Sequence, residues 1–304
     1  MENSYSCNLD YLEEPAIDYP QERSLNKYVS LLSDYGFKYV FGKIANKDII
    51  IAFLNAVIPD REIVDIEQLR NEQLPYRKDG KKSRFDLYCK TNDGSRVIIE
   101  MQNQEQLDFV ERSIYYSTFP IQDQVDEGNK NYLFAPIYSI SILNFNLEEL
   151  KEESKVRSIF RLKDIDTSNE LSDKFTFIYI ELKKFNKRLE EIAEDNVLER
   201  FYYCLRNMEK FMERPAELQS EVFQKLFTAA NIATMSPLEF NDYLQEMKTD
   251  RDYESFIWTA QQRGLKQGLE QGIQQVAKTM KEDGVPLEQI VKYTGLSPQE
   301  IDNL

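Results

Sequence analysis

The chain has 304 residues, enough for about two domains on the usual length prior and for a large buried core. Hydrophobic residues make up 41% and aromatics 12%, which marks a globular protein, while a formal net charge of −15 excludes a general nucleic-acid coat and makes any such contact local. There is no histidine, which excludes Ser-His-Asp and Cys-His nucleophiles, histidine-zinc hydrolases and histidine phosphotransfer, and leaves acid–base work to carboxylates, Lys, Tyr or metal-activated water.

Residues 1–23 are acidic, carry Pro15 and Pro20, and read as a loose leader. Leu25, Tyr28, Val29 and Leu32 fall at helical spacing, which predicts a helix from about Ser24 with Asp34 near its end, where it would cap the following turn. A second helix is predicted from Asp48 to Ile58, stopped by Pro59 and made core by the run Ile49-Ile-Ile-Ala-Phe-Leu54. Residues 63–74 give an edge-like strand. The loop 76–84 then gathers Arg77, Lys78, Lys81, Lys82 and Arg84, either as a solvated hairpin tip or as a clamp for phosphates.

The stretch Arg84–Gln102 reads as two strands around the turn Asn92-Asp93-Gly94, with Gly94 in the left-handed position. In that register residues whose numbers sum to 186 face one another, so Asp86 opposes Glu100 and Arg84 opposes Gln102. The second strand, Val97-Ile-Ile-Glu-Met101, is apolar on both faces, as a central strand is. Two opposed carboxylates repel unless a positive charge lies between them. Arg84 or a nearby Lys could supply it. So could a hard divalent cation such as Mg²⁺, which takes oxygen ligands from one or two carboxylates plus substrate phosphate.

After Gln102 the pattern turns helical, with Leu107, Val110, Ile114, Thr118, Ile121 and Val125 as the expected buried stripe, Pro120 as a kink and Gly128 as the stop. A strand over 136–145 follows, and strand, helix and strand in this order form a parallel crossover unit. Two more strands are expected over 159–165 and 175–185. From Leu189 on the chain is predicted helical, as 197–212, 216–233, 237–248 and 253–262. A marginal helix carrying Gly264, Gly268 and Gly272 comes next. The tail 285–304 reads helix, turn, helix. It resembles the first part of a helix-turn-helix, but its last helix bears Glu300 and Asp302 and no Lys or Arg, so packing or oligomerisation suits it better than DNA reading. Cysteines at 7, 89 and 204 form neither a disulfide framework nor a zinc spacing. With no membrane-length apolar run and no signal-peptide pattern, the expected location is cytoplasmic.

Taken together, Asp34-Tyr-Gly-Phe-Lys-Tyr-Val-Phe-Gly42, Arg84-Phe-Asp-Leu-Tyr88, Ile99-Glu-Met-Gln102, Arg112-Ser-Ile-Tyr-Tyr116 and the Gly-spaced segment with Thr294-Gly-Leu-Ser297 resemble the Rpn-type family of recombination-promoting nucleases and transposases. That resemblance implies a restriction-endonuclease-like α/β fold, PD-(D/E)xK in type, in which a mixed sheet flanked by helices is followed by a helical C-terminal region. The expected division is leader 1–23, nuclease-like domain 24–188, helical region 189–262 and tail 263–304. It also implies a metal-dependent DNA endonuclease with Asp86 and Glu100 as ligands of Mg²⁺ or Mn²⁺, Asp34 as the acidic position of the first helix, and Gln102 in the place of the usual Lys. A neutral amide has no useful basicity, so Gln102 could orient a water but not deprotonate it. Arg77, Lys78, Lys81, Lys82 and Arg84 would meet the DNA backbone, and the C-terminal helices could join copies of the chain. The alternatives are a catalytically weak or silent scaffold in a transposition-related assembly, and a carboxylate-pair hydrolase of another substrate.

Overall fold

The computed structural model describes residues 26–59, 61–69, 72–73, 83–125 and 131–304, apart from the side chains of 72–73, 83–84, 250–264 and 267. The acidic leader, the expected helix start at Ser24 and Leu25, the basic residues Arg77, Lys78, Lys81 and Lys82, and Gly128 lie outside the described residues. Arg84 falls within them by its backbone alone. The chain divides into two compact units, one spanning Ser24–Leu244 and one containing Gln245–Leu304.

The first unit opens with helices α1 (Asp34–Phe41) and α2 (Lys47–Val57). Strands β1 (Ile66–Gln68), β2 (Glu72–Gln73), β3 (Ser83–Arg84), β4 (Leu87–Thr91) and β5 (Arg96–Gln102) follow. Helix α3 (Phe109–Gln124) then crosses to β6 (Ile137–Leu143), and β7 (Arg157–Lys163) and β8 (Glu170–Glu181) complete the strands. Six of them form a mixed sheet in the order β1-β4-β5-β6-β8-β7, with β5–β6 and β6–β8 parallel and the other pairs antiparallel. The expected edge strand is β1, shorter than 63–74, and β2 pairs with β3 as a separate ribbon.

The β4–β5 hairpin takes the predicted register, Leu87 opposite Ile99 and Lys90 opposite Arg96. Gly94 sits at φ +84°, where a side chain would be strained, and its N–H donates to Thr91 O. The ladder stops at Leu87. At Asp86 the side-chain carboxylate takes over, accepting from the Met101 N–H at 2.7 Å. Arg84 has left the hairpin: its backbone faces Glu72, not Gln102. Both faces of β5 are covered, with Val97, Ile98 and Ile99 fully buried. On one face Ile98 packs with Phe85, Tyr88 and Phe119, with Tyr116 of α3 against them.

Three local expectations change. No helix forms over residues 26–33, because the segment spends its hydrogen bonds elsewhere: Val29 N–H donates to Ala230 O, and Lys27 O accepts from Ile232 N–H. Asp34 is accordingly the first residue of α1 rather than the end of a helix. Ser33 is the N-cap and its hydroxyl accepts from Gly36 N–H at 3.0 Å. Gly36 is required there, since a Cβ would stand 2.0 Å from Ser30 O. In α3 the buried stripe is Phe109, Ser113, Ser117 and Pro120, one residue round from the expected one. Leu107 is wholly exposed and Ile114 half exposed. The small serines let the helix lie close to the sheet, and they satisfy their hydroxyls on Val110 O and Ile114 O one turn back.

Helices α4 (Val197–Asn207) and α5 (Glu221–Ala230) belong to the same unit as the sheet and pack on α2. Phe53 of α2 meets Phe201 of α4 edge-on at 5.4 Å, and Phe201 lies 5.1 Å from Phe223 of α5. Each fully buried aromatic of this kind contributes roughly 1.5–3 kcal/mol. The expected helices over 237–248, 253–262 and the glycine-spaced segment are one continuous helix, α6 (Pro237–Glu282), divided at Leu244 between the two units.

In the second unit, α7 (Leu287–Thr294) and α8 (Pro298–Asp302) fold back on the last turns of α6. Ala277, Ile290 and Ile301 form a small core. Gly295, at φ +72°, ends α7, and Ser297 with Glu300 makes a capping box for α8. Lys281 Nζ caps the last turn by donating to Ile301 O and Asp302 O.

Candidate active site

Three elements meet at the carboxyl end of β5. Side chains alternate along a strand, so Ile98, Glu100 and Gln102 share the face that α3 covers. Asp86, at the approach to β4, lies beside them, and α1 brings Asp34 and Lys38 on successive turns. The structure therefore places Asp86, Glu100, Gln102 and Asp34 in one locality. It adds two cations that are not among the candidate site residues of the sequence: Lys38 and Arg112.

Lys38 Nζ lies 3.0 Å from Asp86 Oδ1 and 2.6 Å from Asp34 Oδ1. The Met101 amide holds the other oxygen of Asp86. Glu100 differs: its Oε1 is sealed from solvent and has no hydrogen-bond partner among the described residues. A buried carboxylate oxygen without a donor is costly unless the acid is protonated or a cation reaches it. Burial pushes Asp86 up to about 6, with Lys38 opposing and Asp34 adding to the rise. Burial likewise holds Glu100 well above the ordinary carboxylate range; the charge of Asp86 adds to this, while Arg112 and Lys38 pull the other way. For Lys38 burial alone would lower the pKa, but the two aspartates outweigh it and raise it.

In the backbone pairing Gln102 faces Leu143 rather than Arg84. Its Oε1 accepts from the Arg112 guanidinium at 2.8 Å, and its Nε2 donates to Gln104 O at 3.2 Å. Arginine can only donate, so the amide oxygen must face Arg112, and one N–H of Nε2 remains to offer. Arg112 is itself fixed by Gln106 and by the rings of Phe109 and Tyr116, whose centroids lie 5.0 and 5.7 Å from its Cζ. The signal for Arg112 stood in the sequence as part of Arg112-Ser-Ile-Tyr-Tyr116, and that for Lys38 as its four-residue spacing from Asp34.

A family model described as PD-(D/E)XK nuclease family transposase matches residues 31–260. The chain belongs to that family. The match takes in every element from α1 to β8, and the mixed sheet with flanking helices is the α/β architecture of a PD-(D/E)XK nuclease. It assigns the chain a nuclease or transposition-related role. No curated protein and no solved structure matches the chain.

PD-(D/E)XK nucleases generally use divalent metals, and the residues present fit such an ion. Asp86 and Glu100 are hard oxygen donors, and the buried Glu100 Oε1 has no other partner among the described residues. Among the described residues no group of three or more acidic or thiol side chains forms a cage. Two carboxylates nevertheless suffice for Mg²⁺, which keeps several waters and completes its shell with substrate phosphate. No helix among the described residues is long and apolar enough to cross a membrane.

Proposed function

We propose that the chain is a DNA endonuclease that hydrolyses phosphodiester bonds with Mg²⁺ or Mn²⁺ held by Asp86 and Glu100. The observation that carries this reading is Glu100 Oε1, buried and unsatisfied among the described residues, on the strand whose Met101 amide holds the buried carboxylate of Asp86 just beyond the hairpin ladder. When bound, the ion supplies Lewis-acid stabilisation of charge on phosphate and activates the attacking water. Asp86 and Glu100 orient the ion, and the hydrogen bond from Met101 fixes the direction of Asp86. Gln102, clamped by Arg112, offers its remaining N–H to a phosphate oxygen or to the oxygen of the nucleophile. Arg112 thus acts through Gln102, and Asp34 acts through Lys38. Contact with the DNA backbone falls to Arg77, Lys78, Lys81, Lys82 and Arg84, a run of positive charge in an acidic chain.

A second reading, a silent DNA- or partner-binding scaffold, draws support from Lys38, whose ammonium already neutralises Asp86 without any metal. Incubation of supercoiled plasmid with Mg²⁺ or with EDTA separates the two. Nicking or linearisation that needs the metal and disappears in Asp86→Asn and Glu100→Gln supports the enzyme. Intact plasmid under all conditions, with DNA still bound, supports the scaffold.

A further inference from the structure

Lys38 stands where the site most needs explaining. Its ammonium is shared between two carboxylates, at 3.0 Å from Asp86 Oδ1 and 2.6 Å from Asp34 Oδ1. Asp86 Oδ2 is committed to the Met101 amide, so a cation approaching Asp86 meets the oxygen that Lys38 holds. The side chain of Asp86 is 9% exposed and that of Asp34 56%, so the lysine bridges a buried acid and a solvated one. A lysine is a compact charge on a flexible stem, able to give up one partner while keeping the other. The i, i+4 spacing from Asp34 on α1 provides that second partner.

Building on the metal site proposed above, we infer that Lys38 is the resident counter-ion of the site and competes directly with a divalent cation for Asp86. In the metal-free protein it holds together a face that also carries Glu100 and Asp34. An entering ion takes Asp86 by displacing the ammonium, which Asp34 retains on its solvated side. Lys38 is therefore a positioning residue that sets the ion concentration at which the site loads. A second consequence is that the lysine stays within reach of the site after the exchange.

The test is calorimetric titration of the full chain with MnCl₂ at fixed pH, on the parent, Lys38→Met and Lys38→Arg, with circular dichroism to verify folding and melting curves in EDTA. Lys38→Met should bind Mn²⁺ on the order of tenfold more tightly than the parent, because the competing charge is gone. It should melt lower in EDTA and gain more from Mn²⁺. Lys38→Arg, which keeps the charge, should stay near the parent affinity. A merely structural lysine would weaken binding or leave it unchanged on removal. A folded Lys38→Met that binds Mn²⁺ no more tightly than a metal-binding parent overturns the competition and leaves the metal site standing. If neither parent nor variant binds Mn²⁺, both proposals fall. Should Lys38→Met not fold in EDTA, Lys38→Gln, with a polar head of similar reach and no charge, carries the same expectation of tighter binding and the same refutation.

Discussion

Asp86 is the residue whose replacement reports most on this site. In the folded chain its pKa is pushed up to about 6 from an ordinary 3.8, chiefly by burial. An acid whose pKa is raised by folding holds its proton more tightly in the native state. Its contribution is therefore full below the unfolded value and is lost as pH rises through the folded one. The whole effect is on the order of 3 kcal/mol, of which about 1 kcal/mol falls between pH 5.5 and pH 8. For a unit of this size that is a fall in melting temperature of roughly 2–4 °C. Asp86→Asn has no proton to lose, yet its amide oxygen can still accept from Met101 N–H, and Lys38 keeps Asp34. The measurement is thermal unfolding by circular dichroism in EDTA at steps from pH 5.5 to 8, above the sequence pI of 4.7 where the chain would precipitate. The parent should lose stability relative to Asp86→Asn across that range, and saturating Mg²⁺ should abolish the difference in slope. Parallel profiles for the two proteins in EDTA would refute the claim that Asp86 is a strained, buried acid.

Gln102→Ala should slow single-turnover cleavage by on the order of 10- to 1000-fold, about 1.4–4 kcal/mol of barrier, with little change in Mn²⁺ affinity. Arg112→Met should cost a similar factor, and the double variant little more than either alone, because the two side chains act as one unit; additive losses would separate them. Neutralising Lys78, Lys81 and Lys82 together should weaken DNA binding and reduce its salt dependence by roughly one unit of slope for each phosphate that a lysine no longer neutralises, as read from binding titrations at several salt concentrations. An unchanged slope would move the DNA-binding surface elsewhere.

The part of the site that depends on chain-local geometry was readable in the residues. The turn Asn92-Asp93-Gly94 needs a left-handed glycine, and a period of two then dictates which side chains share a face, so the neighbourhood of Asp86 and Glu100 followed directly. The run Val97-Ile98-Ile99 announced a strand covered on both sides, and Ile49–Leu54 a buried helix. What escaped depends on partners distant in sequence. The apolar spacing of 25–32 favoured a helix, but the backbone of 27–29 pairs with 230–232, two hundred residues on. In α3 the serines lie inward and Ile114 outward, since Ser113 finds the hydroxyl of Tyr179 at 2.7 Å across the core. Hydrophobicity alone ranks those positions the wrong way round. Lys38 and Arg112 are ordinary helix residues by local pattern, and only the packing of α1 and α3 against β5 gives them carboxylate and amide partners.

The central claim is that Asp86 and Glu100 share one divalent cation. Anomalous diffraction from crystals soaked in MnCl₂ tests it without reference to activity. The account predicts a single strong peak within coordination distance, about 2.0–2.6 Å, of a carboxylate oxygen from each residue, and its loss in Glu100→Gln. A peak that avoids Glu100, or Lys38 still bound to Asp86 with no manganese beside it at saturating metal, would contradict it.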